Sequence, residues 1–189
     1  MQTTIVIIAA LAILSFAVAG IYNALVKLRI KVDEGWADID TQLTRRYDLI
    51  PNLVETVKGY ANHESETLEN VINARNIAMN AQNPEASAEA ENLLSGALKT
   101  IFALSESYPE LKANQNFSEL QQTLTDIEEH IQLSRRYYNA TVRDYNTKRQ
   151  VFPNNIIAGI FNFKDREFFE ADESERENVQ VDFSDDDQA

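Results

Sequence analysis

A chain of 189 residues with 17 Lys and Arg against 30 Asp and Glu carries a formal charge of −13 and no cysteine. That length accommodates one domain, and the missing cysteine excludes disulfides, thiol nucleophiles and zinc ribbons. Apolar residues at 44% and charged residues at 25% exclude wholesale disorder, and the acidic balance argues against non-specific nucleic-acid binding, because phosphates reward cations.

The charge is unevenly placed. Residues 1–26 carry no charged side chain, and Lys27, Arg29 and Lys31 form a basic collar directly after them. From Asp165 onward, 11 acids face only Arg166 and Arg176, so this tail alone holds −9. Between Ile5 and Leu25 the run IVIIAALAILSFAVAGIYNAL has about the 20 apolar residues that a helix needs to cross roughly 30 Å of hydrocarbon. A retained transmembrane helix over 5–26 is the leading reading, with residues 1–4 outside. The rival is a cleaved signal peptide at Ala17-Val18-Ala19, which lacks the expected basic start. The positive-inside rule places the collar, and with it the following domain, on the cytoplasmic side of an inner or plasma membrane.

Beyond the anchor, Leu25, Leu28, Val32, Trp36, Ile39 and Leu43 make one helical stripe. Pro51 predicts a break near Tyr47 to Pro51, with Asp48 capping a new helix. That second helix carries Leu53, Val54, Val57, Tyr60, Ala61, Leu68, Val71, Ile72 and Arg75 and ends at Asn83-Pro84. A third carries Ala90, Leu93, Leu94, Ala97, Leu98, Ile101, Phe102 and Leu104 up to Tyr108-Pro109. The fourth places Phe117, Leu120, Leu124, Ile127, Ile131, Ser134, Tyr138, Val142 and Tyr145 at heptad-like spacing. The expected fold is therefore all-α: a single N-terminal transmembrane helix followed by an antiparallel four-helix bundle over 27–164, each helix about 25 to 35 residues long, with coiled-coil-like packing. The apolar segment Ile156 to Phe161 is too short to span and is read as a cap on the bundle core, with a place at the lipid interface as the alternative. The acidic tail, 165–189, reads as disordered by composition, with Val179 to Phe183 as the one hint of a strand.

Several blocks together resemble the LemA family: Tyr22-Asn23-Ala24-Leu25-Val26-Lys27-Leu28-Arg29, Trp36-Ala37-Asp38-Ile39-Asp40, Arg45-Arg46-Tyr47-Asp48-Leu49-Ile50-Pro51-Asn52-Leu53-Val54-Glu55, Tyr108-Pro109-Glu110-Leu111-Lys112-Ala113-Asn114, Arg135-Arg136-Tyr137-Tyr138-Asn139, Tyr145-Asn146 and Phe152-Pro153-Asn154. The resemblance covers about residues 21–170 in order. It implies a bacterial or archaeal membrane protein with one N-terminal transmembrane helix and a four-helix bundle. It implies no general enzymatic activity and no cofactor; some relatives are linked to magnetosome membrane formation, and family genes often sit near membrane metalloprotease or other envelope genes.

The residues give no catalytic, cofactor or metal set. Neither His63 nor His130 follows a Glu by three positions, as a di-iron bundle requires, since Tyr60 and Ile127 stand there. Thr67 stands where the zincin pattern needs its second His, and the five glycines are scattered. Glu128, Glu129 and His130 occupy different helix faces and read as solvated surface, while Trp36 and Tyr60 read as core. Two polar groups remain as a candidate interaction surface: Arg45, Arg46, Tyr47, Asp48 and Asn52, and Arg135, Arg136, Tyr138, Asn139, Tyr145 and Asn146. Paired Arg beside Tyr suits carboxylates, phosphates or a protein partner; the structural alternative pairs these arginines with Asp38, Asp40 or Asp48 at helix seams. The expected function is a non-enzymatic membrane scaffold, a homo-oligomer that also engages the bilayer and another membrane or cytoplasmic protein. A regulatory adaptor of a membrane protease or envelope signalling system is the alternative.

Overall fold

The computed structural model describes residues 1–169, and every regular element among them is helical. The first helix, α1, runs from Gln2 to Lys58, roughly 85 Å at 1.5 Å per residue. Its first third is long and apolar enough to cross a membrane and buries none of its side chains against the protein. From Leu25 onward the same helix becomes a core element, burying Leu25, Val32, Ile39, Leu43, Ile50, Leu53 and Val57.

The expected break at Pro51 does not occur; Asp48 caps nothing and Pro51 lies inside α1. Proline removes the amide that would bond the carbonyl four residues earlier, which here belongs to Tyr47. That carbonyl accepts instead from Arg75 Nε at 2.8 Å. A side chain from the next helix thus supplies the donor that the backbone lacks, and the helix passes through its proline. The break comes later. Residues 59–64 turn, with Ala61 buried as a plug, so the predicted second stripe is divided between the end of α1 and α2 (Ser65–Met79).

The next two starts follow from local chemistry. Asn83 caps α3 (Pro84–Leu104), its side-chain oxygen accepting from the Ala86 amide while Pro84 occupies the first turn. A 3-10 turn and the short α4 (Pro109–Lys112) lead to Asn114, which caps α5 (Gln115–Gln150) by accepting from the Phe117 amide. The helix lengths of 57, 15, 21 and 36 residues correct the expectation of four similar helices. α1 and α5 form one long antiparallel pair, close enough at Gly35 that an added Cβ would lie 3.4 Å from the Tyr138 Cα. α2 and α3, roughly 22 and 32 Å long against roughly 54 Å for α5, cannot accompany that pair along its length.

The last described residues cover what α2 and α3 leave bare. Asn154 Nδ2 donates to the Lys148 carbonyl, and α6 (Asn154–Ile160) packs against α1, where the following Phe161 meets Tyr22, and against α5. It ends in a Schellman turn. Phe163 N–H reaches the Ala158 carbonyl at 2.9 Å, Asn162 N–H reaches Gly159, and Asn162 takes φ 54°, the left-handed geometry that asparagine tolerates better than most residues. The chain then runs extended back along α5, burying Phe163 and Phe169. Trp36 meets Tyr138 and Phe169 at ring separations of 5.6 and 6.1 Å. The expected disorder of the tail and the strand at Val179 to Phe183 concern residues outside the described ones, apart from 165–169, which belong to this packed strap.

Candidate interaction site

The two predicted polar groups sit on the two long helices, and each divides between inside and outside. On α1, Arg46 and Tyr47 point inward. Arg46 Nη1 donates to Glu91 Oε2 at 2.8 Å and lies 2.9 Å from Glu128 Oε2, while Nη2 donates to Ser95 Oγ at 2.8 Å. The Tyr47 hydroxyl donates to the other Glu91 oxygen at 2.6 Å. Arg46 and Glu91 are 4% and 3% exposed, so this is an ion cluster held in low dielectric, where its worth depends on every member being paired. Burial pushes the Glu91 carboxyl above the usual carboxylate range, with Arg46 and the Tyr47 hydrogen bond pulling it back; burial and the neighbouring Glu91 charge push the Tyr47 phenol well up. The cluster ties α1, α3 and α5 together. The partners are Glu91 and Glu128 in place of Asp38, Asp40 or Asp48, and Glu128, expected in solvent, lies at the cluster's edge.

On α5, Tyr138, Asn139, Tyr145 and Asn146 form a ladder that grips the extended strap. Asn146 Nδ2 donates to the Arg166 carbonyl and its Oδ1 accepts from the Arg166 amide, at 2.9 and 3.0 Å. Asn139 repeats both bonds with Phe169, each at 2.9 Å or less. Each carboxamide thereby satisfies one residue's whole backbone, as a neighbouring strand would. The hydroxyls of Tyr145 and Tyr138 donate to the carbonyls of Lys164 and Glu167. The register follows from two lattices: seven helical residues rise about 10.5 Å, and three extended residues span about 10 Å. A Tyr-Asn pair repeated at seven therefore meets a strand at every third residue. Burial pushes the Tyr138 phenol up to about 12, so it stays a neutral donor at physiological pH. Arg135 lays its guanidinium over the Phe169 ring at 4.7 Å.

The remaining predicted residues lie outside. Arg45, Asp48, Asn52 and Arg136 are exposed, as are Lys27, Arg29 and Lys31. Arg29 stands 5.5 Å from the Phe163 ring. Tyr60, expected in the core, is 39% exposed and accepts from Asn114 Nδ2. Between α3 and α5 a cleft of about 590 Å³ opens beside the Arg46 cluster, with Ser95, Lys99 and Phe102 on one wall and Glu128, Gln132 and Arg135 on the other. Among the described residues no group of three or more potential ligands is placed to hold a metal ion. Sequence reasoning missed the strap itself, because it binds mainly through its own backbone groups, which its side chains do not advertise. The signals present were the Tyr-Asn repeat at seven and the phenylalanines Phe163 and Phe169.

An all-α body continuous with an N-terminal helix long and apolar enough to cross a membrane, and covered by its own strap at 163–169, defines a helical protein with one candidate membrane span. The sequence model of the LemA family matches residues 35–183, and the chain belongs to that family. It is 26% identical over 168 residues to Protein LemA of Metamycoplasma hominis, an alignment covering 87% of this chain and 75% of the relative. It is 30% identical over 81 residues to the magnetosome proteins MamQ 1 and MamQ 2 of Paramagnetospirillum magneticum, covering 43% of this chain and 30% of each relative.

Proposed function

We propose that this chain is a non-enzymatic, single-pass membrane protein whose helical body, an antiparallel bundle of α1, α2, α3 and α5, serves as an oligomerisation and interaction scaffold in membrane organisation. The observation that carries the reading is the continuity of α1. One unbroken helix supplies both the apolar segment, whose residues Ile5 to Phe16 are all exposed, and the central core element from Leu25 onward. A body joined to its anchor through a helix has a fixed height and attitude above the bilayer, which a flexible linker would not give. Lys27, Arg29 and Lys31 support a cytoplasmic body, and the 81-residue likeness to magnetosome proteins is consistent with work at a membrane. The absence of a nucleophile, metal set or phosphate loop in the sequence favours binding over catalysis.

Crosslinking in intact membranes followed by mass spectrometry tests this reading. Crosslinks between copies through α1 are expected; a chain that stays monomeric in native membranes at every crosslinker concentration overturns the oligomer. The second reading, an adaptor of a membrane protease or signalling enzyme, is favoured by the open α3–α5 cleft and the exposed Arg45 and Arg136. Lys99→Glu with Arg136→Glu should then abolish crosslinks to a different protein while those between copies persist.

A further inference from the structure

Beyond the anchor, the two most exposed large apolar side chains among the described residues, Phe152 and Ile160, lie together at one end of the body. Phe152, Ile156 and Ile160 are 78%, 52% and 69% exposed; Ile156 and Ile160, four residues apart in α6, share a helix face, and Phe152 stands exposed two residues before the helix starts. Asn154, Ile157 and Ala158 are buried against the body. A face of large apolar side chains with a buried opposite side is costly in water at roughly 25 cal/mol per Å².

Its position says what covers it. Phe161, at the end of α6, meets Tyr22 at a ring separation of 4.8 Å and borders a hollow shared with Leu14, Val18 and Ala19 of the apolar segment. Tyr22 precedes the first cation, Lys27, by five residues, or about 7.5 Å along the helix. α6 therefore lies on the anchor's side of the charged collar, at the depth that interfacial helices occupy. The collar is also wider than the sequence suggests, because the exposed Lys148 and Lys164 flank α6, while Arg149 beside them is held by Asp165.

We infer that α6 with Phe152 and Phe161 is a second membrane contact, a wedge whose apolar face enters the acyl margin of the same leaflet that α1 leaves, while the cations around it meet anionic headgroups. The inference rests on α1 spanning the bilayer. α6 caps the core with one face and meets lipid with the other. With two points of contact the body is fixed in rotation about the α1 axis, so its α3–α5 cleft keeps one direction relative to the membrane surface.

The cysteine-free chain makes the test direct. Single-cysteine forms of the full-length protein, Phe152→Cys, Ile156→Cys, Ile160→Cys, Leu14→Cys and Tyr137→Cys, are reconstituted into phosphatidylglycerol–phosphatidylethanolamine vesicles. Each is reacted with a membrane-impermeant maleimide or labelled with bimane and quenched by brominated lipid. The wedge positions should react about tenfold or more slowly than Tyr137→Cys on the exposed face of α5 and be quenched by lipid brominated near the headgroup, as expected for shallow burial. Reaction at the Tyr137→Cys rate with Leu14→Cys protected overturns the wedge and leaves the anchor standing. Protection without lipid quenching overturns it too, since a protein neighbour then covers the face. An accessible, unquenched Leu14→Cys overturns the anchor, and the wedge with it.

Discussion

Arg75 shows how one side chain can decide the course of a helix. Its guanidinium occupies the carbonyl that Pro51 orphans, so Arg75→Met should cost about 1–3 kcal/mol, the usual penalty for an unsatisfied buried acceptor. In a Pro51→Ala background, where the alanine amide takes over that carbonyl, the same change should cost less than half as much in a denaturation double-mutant cycle. Glu91 makes a pH prediction. Its carboxyl is raised above the ordinary 4.5 by burial, so the folded protein holds that proton more tightly than the unfolded chain. The associated stability is present below the unfolded pKa and is lost as pH rises through the folded one. Glu91→Gln should therefore flatten the fall of stability on raising pH from about 4.5 towards neutrality, whatever its offset at pH 7, as denaturant midpoints across that range would reveal. The sequence made Arg46 and Tyr47 conspicuous. It could not give their partners, because Glu91 and Glu128 lie 45 and 82 positions away.

Element by element, the boundary at Asn83-Pro84 was legible, whereas the start expected at Asp48 was wrong and the end of α1 at Lys58 was not foreseen. Asn83 and Asn114 act locally, each side chain accepting from the amide three residues on, so a short window contains the whole cause. The passage of α1 through Pro51 depends on α2 and lies outside any such window. The strap belongs to this scale as well. Asn139→Ala should speed hydrogen exchange at the Phe169 amide and Asn146→Ala at the Arg166 amide, each costing about 1–3 kcal/mol for two lost hydrogen bonds. Trypsin should then cut more readily after Lys164 and Arg166. If both amides exchange at unchanged rates, the ladder does not hold the strap. At the turn before it, Asn162→Gly should be close to neutral, whereas Asn162→Val, forced into the left-handed region, should cost about 1–3 kcal/mol, read from thermal unfolding.

At the scale of the whole molecule, two short helices and a strap complete a pair of long ones. α2 and α3 enclose the Arg46 cluster, and α6 with residues 161–169 encloses Trp36, Tyr138 and Tyr145, so the core stays continuous along an element pair that no single partner could cover. Truncation after Phe161 should therefore loosen the half of the body near the apolar segment, with faster exchange in α5 around Tyr138 to Tyr145, and leave the half around Arg46 protected. The sequence by itself determined the helical class, the apolar segment of α1, the basic collar and the faces that turn inward, because hydrophobic periodicity and charge placement are local quantities summed along the chain. Only the tertiary structure decided that α1 ignores its proline, that the arginines pair with distant glutamates, and that the Tyr-Asn repeat grips the chain's own backbone. Each of those outcomes matches a donor to an acceptor far away in sequence, and such a match exists only once the helices have set the distance between them.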